Sequence, residues 1–510
     1  MLRPDQETAL QTLRESVRQG KRRICMQAPT GWGKTEFAAA LTNSAQAKKK
    51  KVLFTVPAIS LIDQTVGMFA RRGILDVGVI QADHHMSNWD QPIQIASVQT
   101  LMRRTVPDVG VVMLDECHRW FKFYEKWLGT KSHPVPEWID VPLIGLSATP
   151  WTKGLGSWFD HFHKAATIGQ MIDAGNLSPF KVYAPSHPDL SHVRIVGGEY
   201  HEGELSETMQ EGYLIADAVE TWLRLADRRP TLCYAVDRPH AKKLQQQFEA
   251  AGVKCGYQDH TTKDTEREQI KRKFHNGEYE VVVNVETLTT GVDWDVRCIS
   301  MCRPTKSDML FVQIVGRGLR NAPPGTPEKD HCLILDHSDN HLRLGFVTDI
   351  DESYTGLHDG KTPRHDNRTE GIRLPKECPK CAYLKPPKMA QCPACGFTAT
   401  YVSKIEAGDG ELRELKPKPK KPKDPMEMSA YDRTMFFAEL KGYAFQHGYK
   451  EGWASNKYKD RFGKWPANDM KNILPMAPKP STASWIKSEQ IRWAKSKAKE
   501  TRAWTDQWRR

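Results

Sequence analysis

Apolar residues fall in short, β-branched runs along the first two thirds of the chain, a length and composition that favour strands over helices. Up to about residue 170 these runs are "RRICMQA", "KVLFTVPA", "VGVIQA", "IQIASVQ", "VGVVMLDE" and "PLIGLSAT". Polar or amphipathic stretches separate most of them, so the pattern predicts a parallel sheet covered by helices over 1–170. A second series, "PTLCYAVD", "VKCGYQ", "YEVVVNV", "RCISMCRP" and "HCLILDH", predicts another such unit over 215–345. Between them lies "GQMIDAGNLSPFKVYAPSHPDL", whose Gly and Pro content reads as a connector over 171–214. The rhythm is lost after residue 345, which leaves a linker at 346–375, a cysteine module at 376–400 and a Lys/Pro-rich linker at 401–427. In that last linker, alternating Lys and Pro in "LKPKPKKPKDP" favour an extended, solvated spacer, with a localisation signal or an acidic-partner site as the alternative. Residues 428–510 read as a small, mainly helical domain. The expected fold class is therefore α/β, with two tandem parallel-sheet lobes followed by two small modules.

Length and charge refine this outline. A chain of 510 residues is long for one domain. "MLRPDQETALQTL" has no signal pattern and no apolar run approaches the ~18 residues of a membrane span, so a cytoplasmic protein without membrane contact is expected. The net charge of +12 is concentrated at the end, where residues 411–510 hold 23 Lys+Arg against 12 Asp+Glu. Trp453, Trp465, Trp485, Trp493, Trp504 and Trp508 are interspersed there. Bases stack on exposed aromatics between phosphate-neutralising cations, so nucleic-acid binding is one reading; a solvated basic surface over a small Trp-rich core is the other.

Three segments carry chemistry. The strand "RRICMQA" runs straight into "APTGWGKT", Ala28 to Thr35, and then into a helix-forming stretch. A strand-to-helix loop of this kind cradles phosphates with backbone N–H groups; Lys34 would reach the β and γ oxygens and Thr35 would ligate Mg²⁺. The general pattern asks for Gly where Ala28 stands. "VGVVMLDECH" then places Asp115 and Glu116 just past an apolar strand. One carboxylate there can hold Mg²⁺ while its neighbour orients and deprotonates the attacking water; Asp115 is assigned to the metal and Glu116 to the water. "QIVGRGLR", in the second unit, sets Arg317 and Arg320 about one helical turn apart, where both can reach a γ-phosphate if the site spans the two units.

Taken in order, these segments resemble the DEAD/DEAH-like group of superfamily 2 helicases, whose phosphate loop reads AxTGxGKT and so expects Ala28. "DECH", Asp115 to His118, matches the DExH box, "SAT" with Ser147 and Thr149 resembles the third motif, and "QIVGRGLR" with Gln313 matches QxxGRxxR. "VPAISLIDQ" with Pro57 and "SVQTL" with Gln99 and Thr100 resemble the nucleic-acid-contacting motifs Ia and Ib. "TLTTGVDWD", with Thr290, Gly291 and Asp293, resembles motif V. "LRPDQ", ending at Gln6, resembles the upstream glutamine that reads adenine. The resemblance covers roughly residues 1–340. It implies two RecA-like lobes with ATP between them, cradled by Gln6, Ala28, Pro29, Thr30, Gly31, Trp32, Gly33, Lys34 and Thr35 on one side. Gln313, Arg317 and Arg320 would complete the site from the second lobe, and Asp293 would link strand binding to it. Thr290 and Gly291 would contact the phosphates of the strand. Cys117 stands where Ala is commoner, and the Ia segment lacks the Thr-Arg of many RNA-type members, which favours DNA. No nuclease or methyltransferase constellation is recognisable. Trp32 falls at a variable position of the loop, where an exposed ring has no assigned role.

The cysteines of "CPKCAYLKPPKMAQCPACGF" form two CxxC pairs, Cys378 with Cys381 and Cys392 with Cys395, ten residues apart. Four thiolates at this spacing predict a zinc ribbon, with rubredoxin-like iron as the alternative. Lys385 and Lys388 make its loop basic, which suits nucleic-acid contact or a purely folding role equally. After it, "GYKEGWASNKYKDRFGKWP" resembles the C-terminal segment of the RadD (YejH) repair ATPases and their phage relatives. That resemblance implies a DNA-repair or recombination role and contact with single-stranded DNA-binding protein. The function expected is an ATP-dependent DNA helicase or translocase; an RNA helicase, or an ATP-regulated repair scaffold, is the alternative.

Overall fold

The computed structural model describes residues 2–81, 84–288, 294–358, 374–387, 389–398, 428–450 and 452–490. The chain divides into two compact units, Met1–Tyr401 and Val402–Arg510.

The first unit opens with helix α1 (Pro4–Arg18) and then alternates strand and helix: β1 (Arg23–Gln27), α2 (Lys34–Gln46), β2 (Val52–Val56), α3 (Ile62–Arg71), β3 (Val77–Ile80), β4 (Ile93–Ser97), α4 (Val98–Leu101), β5 (Val111–Asp115), α5 (Lys122–Leu128), β6 (Leu143–Ser147) and β7 (His161–Lys164). All seven strands are parallel, in the order β3-β4-β2-β5-β6-β1-β7. β1, β2, β4 and β6 are buried at every position, as a sheet covered on both faces requires. β7 escapes a hydrophobic reading because each residue of "HFHK" at this edge is half-buried.

After α6 (Ile168–Asp173), strand β8 (Phe180–Tyr183) lies inside the expected connector, yet it pairs with the second sheet. A short hairpin follows, β9 (Ile195–Val196) with β10 (Glu199–Tyr200). The second lobe then runs α7 (Glu202–Met209), α8 (Gly212–Leu225), β11 (Thr231–Tyr234), α9 (Arg238–Ala250), β12 (Cys255–Gln258), α10 (Asp264–His275), β13 (Val281–Asn284), β14 (Cys298–Met301), α11 (Asp308–Gly318) and β15 (Cys332–Asp336). Its strands are also parallel, in the order β12-β13-β11-β14-β15-β8. The two tandem lobes are those read from the apolar runs.

Helices α12 (Asn340–Leu344) and α13 (Val347–Ser353) follow, so the expected linker begins with packed helix. The cysteine module carries the short antiparallel pair β16 (Lys376–Glu377) and β17 (Leu384–Lys385). Tyr383 bridges Tyr183, and Ala184 N–H donates to the Ala382 carbonyl at 3.0 Å, which seats the module on edge strand β8.

In the second unit, α14 (Ala430–Gln446) and α15 (Trp453–Phe462) pack around Phe436, Phe437, Leu440, Tyr458, Phe462 and Ile486. Buried Glu439 accepts from Thr482 Oγ1 and pairs with Lys479 Nζ at 3.5 Å. Among the described residues no helix is long and apolar enough to cross a membrane.

Candidate nucleotide cleft and metal centre

In a parallel sheet every strand delivers its C-terminal end to the same edge, where ligands collect. The order β5-β6-β1 therefore puts Asp115, Ser147 and the loop after Gln27 side by side. Gly31 and Gly33 take φ of 86° and 87°, a left-handed conformation that costs glycine little. Gly33 caps α2, so Lys34 and Thr35 start the helix with its N–H groups facing the cleft. A Cβ on Gly33 would also lie 2.8 Å from Gln6 Nε2.

Gln6 is buried. Its Nε2 donates to the Trp32 carbonyl at 2.7 Å, and its Oε1 accepts from Arg3 N–H at 3.0 Å. Arg3 also donates to the Trp32 carbonyl at 2.7 Å. In this structure α1 thus braces the loop through Gln6 Nε2 and the Arg3 guanidinium, while Gln6 Oε1 caps the start of α1. The ring of Trp32 corrects the expectation of exposure: the residue is 0% exposed, and its indole packs 5.2 Å from Phe37 inside the lobe. An apolar indole gains more from the core than from solvent, so Trp32 contributes no side chain to the cleft. Ala28 and Pro29 are buried too; Ala28 N–H prolongs the β1–β6 pairing to the Ser147 carbonyl at 2.9 Å.

The cleft encloses about 430 Å³ between the lobes. Thr30, Gly31, Gly33, Lys34, Thr35, Asp115 and Glu116 line it from the first lobe; Arg317 in the last turn of α11 and Arg320, just past its end, line it from the second. The lobes are in contact, since a Cβ on Gly316 would come within 3.2 Å of Thr30. Lys34 Nζ stands 3.9 Å from Glu116 Oε1. Burial pushes the Glu116 carboxyl up, but Lys34, His118 and Arg317 more than offset this and hold it at about 2. Asp115 next to it rises to about 7 through burial and the repulsion of Glu116, which Lys34 only partly counters. Glu116 itself takes the left-handed φ of 48° at the end of β5.

A chain of polar contacts runs from this carboxylate to the second lobe. His118 Nδ1 lies 3.3 Å from Glu116 Oε2 and 2.8 Å from Ser147 Oγ. Ser147 Oγ accepts from Thr149 N–H at 3.0 Å, and Gln313 Nε2 contacts Thr149 Oγ1 at 3.0 Å and His118 Nε2 at 3.3 Å. Gln313 therefore meets the first lobe through the box and the SAT segment, outside the residues that line the cleft.

Comparison with known proteins agrees with this arrangement. Residues 1–152 match the family model "Type III restriction enzyme, res subunit", and residues 216–322 match "Helicase conserved C-terminal domain". The chain belongs to helicase superfamily 2. A 51.5 kDa protein of a Lactococcus phage is 26% identical over 397 residues, covering 75% of this chain and 79% of that protein. The putative ATP-dependent helicase IRC3 of Saccharomyces cerevisiae is 30% identical over 357 residues, 66% of this chain. The chain spans only about half of that yeast relative, 51% of its length. Among solved structures, a fragment of a putative HsdR subunit of a type I restriction enzyme from Vibrio vulnificus shares the fold, with a TM-score of 0.52 and 20% identity over 70% of this chain and 68% of that one.

The segments that resemble motifs Ia and Ib sit along the same sheet edge. Pro57 follows β2 and Thr100 lies in α4 after β4, the neighbouring strand; Gln99 Nε2 donates to the Pro57 carbonyl at 2.9 Å, which ties Ia to Ib. Thr100 N–H and Oγ1 both contact Ser97 Oγ, at 3.2 and 2.9 Å. Thr290, Gly291 and Asp293 lie outside the described residues.

The chain also holds residues that motif reading missed. Asp351 of α13 is 1% exposed; Gln27 Nε2 donates to its Oδ1 at 2.7 Å and Ile168 N–H to its Oδ2 at 2.9 Å. Lys164 Nζ donates to its carbonyl at 2.5 Å. Tyr354 stacks on Trp151 at 4.2 Å and donates to Asp308 Oδ2, at the start of α11, at 2.8 Å. The chain leaving the second lobe thus returns to grip the strand that carries the phosphate loop. No local pattern signals this, because each partner is distant in sequence.

Beyond the lobes, the ligand sulfurs of Cys378, Cys381, Cys392 and Cys395 all lie within 4.8 Å of one another, with Sγ–Sγ distances of 3.7 Å for 378–395 and for 381–392. A disulfide would need ~2.05 Å, whereas tetrahedral thiolates at ~2.3 Å from a metal stand ~3.8 Å apart. The residue after each pair, Ala382 and Gly396, is left-handed, at φ 57° and 70°, the same knuckle twice. The cluster fits a four-coordinate metal. Lys385 corrects the basic-loop reading: it is buried and donates to the Ala390 carbonyl at 2.9 Å, while Lys388 lies outside the described residues.

Proposed function

We propose that this helicase is an ATP- and Mg²⁺-dependent motor that moves along or remodels DNA, in repair, recombination or replication. One observation carries the reading: half-buried Glu116 shares the cleft with a cation of the first lobe, Lys34 at 3.9 Å, and one of the second, Arg317. A site completed only when both lobes meet makes hydrolysis depend on closure.

In this reading Lys34 and the loop N–H groups hold the β and γ phosphates, and Arg317 and Arg320 stabilise charge on the transferring phosphoryl group. Thr35 and Asp115, hard oxygen donors on one cleft wall, would hold Mg²⁺, which neutralises phosphate charge when bound. Glu116, kept ionised, orients the water and takes its proton. The path from Glu116 through His118, Ser147 and Thr149 to Gln313 relays the nucleotide state to the strand held by Pro57, Gln99, Thr100, Thr290 and Gly291, with Asp293 on the same route. Gln6 would read adenine by exchanging one of its present partners.

The Ia segment without Thr-Arg and the restriction-enzyme description of the first lobe favour DNA over RNA. Zinc is the metal that suits Cys378, Cys381, Cys392 and Cys395. The repair role rests on the RadD resemblance, and the basic tail suits the acidic end of single-stranded DNA-binding protein. A bacterial or phage-infected cytoplasm goes with this reading, and the phage relative supports it.

The test is ATP turnover and strand displacement by the purified chain on matched DNA, RNA and hybrid substrates, with and without single-stranded DNA-binding protein. DNA should stimulate turnover most, and Lys34→Ala or Glu116→Gln should lower it by about 10³-fold or more with the fold intact. Full turnover in either variant refutes the assignment. Stimulation by RNA alone identifies an RNA helicase, and partner-stimulated turnover without displacement identifies a scaffold.

A further inference from the structure

The second unit displays a set of aromatic rings arranged unlike its own core. Inside that core the rings meet at steep angles: Phe436 with Phe462 at 84°, Phe437 with Tyr458 at 80°, Phe436 with Trp485 at 70° and Tyr458 with Phe462 at 43°. Such tilts are what the ring quadrupole favours in a closed interior. At the end of α14 the geometry changes. Tyr443 and His447, one turn apart, stack at 4.0 Å and 16°. Gly448, at φ 64°, reverses the chain, and Tyr449 lies flat against Trp453, the first residue of α15, at 4.7 Å and 5°. Tyr443 faces Trp453 at 21° and Tyr449 at 17°, and His447 faces Tyr449 at 16°. All four planes are therefore nearly parallel. His447 and Tyr449 are exposed, the latter by 40%.

Of the tryptophans noted in the tail, Trp485 is packed on Phe436 and under Arg461, and Trp465 carries Lys459 at 4.4 Å over its ring. The parallel array is thus built mainly from Tyr and His that the sequence did not single out. Positive charge surrounds it in sequence: residues 428–510 hold 17 Lys+Arg against 8 Asp+Glu, with Lys450 next to Tyr449.

We infer that Tyr443, His447, Tyr449 and Trp453 form a stacking platform for unpaired nucleobases of a single DNA strand, separate from the strand path across the lobes. The exposed rings of His447 and Tyr449, held parallel by half-buried Tyr443 and Trp453, extend a stack of bases, and the excess of cations attracts the phosphates between them. A duplex, whose bases are already stacked, gains nothing from such a surface. The inference rests on the DNA reading above and adds the site and the strand state.

The test uses the full chain and four probes: a 20-nucleotide oligo-dT, the same length of abasic strand, a 20-base-pair duplex and an acidic decapeptide. The wild type should bind oligo-dT about tenfold or more tightly than the abasic strand. The double variant His447→Ala/Tyr449→Ala should bring that ratio close to one, whereas Tyr449→Phe, which keeps the ring, should retain it. Equal wild-type affinity for oligo-dT and abasic strand overturns the platform, as does an unchanged ratio in the double variant. Loss of decapeptide binding with the oligo-dT preference intact overturns it too, and makes the surface a protein dock. DNA-stimulated ATP turnover is measured separately: its absence with the base preference present would sink the motor reading and leave the platform standing.

Discussion

Asp115 and Glu116 are neighbours of the same chemistry, and their surroundings drive them apart. Burial acts on both, but the cations reach Glu116 more strongly, so it stays ionised while Asp115 rises to about 7. Two carboxyls separated in this way can take two roles, which the sequence already suggested from their place after an apolar strand. Trp32 shows the opposite case, because the loop pattern leaves its position free and only packing decides where the ring goes. His240 supplies a residue-scale prediction. It is buried near the start of α9, its Nδ1 accepts from Val236 N–H at 3.2 Å, and burial lowers its pKa to about 4. A histidine kept neutral in the fold stabilises it above the unfolded value of about 6.5, and that contribution is lost as pH falls from there through about 4. The second lobe should lose about 3 kcal/mol from this group between pH 7 and pH 4. Hydrogen exchange of α9 amides across that range, in the wild type and in His240→Gln, checks it; a wild-type pH dependence that persists in the variant assigns the loss elsewhere.

At the scale of elements, helix α13 and strand β8 were both absorbed into expected linkers. Neither has the continuous apolar run that reveals a central strand: β8 buries only Val182 of its four residues at a sheet edge, and α13 carries acids along much of its length. Their placement comes from partners far away in sequence. Asp351 is the clearest instance, since one buried carboxylate takes donors from Gln27 and from Ile168. Asp351→Ala leaves both donors buried without an acceptor, which costs about 2–3 kcal/mol. The unfolding midpoint of the first unit should fall, and half-saturation for ATP should rise, because Gln27 immediately precedes the phosphate loop. Thermal unfolding and steady-state turnover measured together test this; a lower midpoint with unchanged ATP dependence would make α13 a packing element only.

At the scale of the whole molecule, the cysteine module is tied to the second lobe through β8, so metal binding and lobe stability are coupled. Purified chain should carry about one zinc ion, and Cys392→Ser should remove it and expose residues 376–398 to proteolysis. Metal analysis paired with limited digestion checks both halves; full metal content in the variant would refute the four-thiolate site.

Much of the molecule was legible before folding. The alternation of apolar runs with helical stretches determined two parallel-sheet lobes, because strands buried on both faces must be apolar throughout. The spacing of the motifs pointed to Lys34, Thr35, Asp115, Glu116, Arg317 and Arg320 in the cleft, because a parallel sheet sends all its strand ends to one edge, but it did not show that Ala28, Pro29, Trp32 and Gln313 stand back from it. The four cysteines were legible because ligand spacing is local. Tertiary structure decided the rest: that Gln6 and Arg3 brace the loop, that Trp32 turns inward, that Lys385 is buried, that α13 returns to grip β1, and that four rings of the tail lie parallel. Each of these depends on contacts between residues distant in the chain, and such contacts leave no periodicity for a sequence to display.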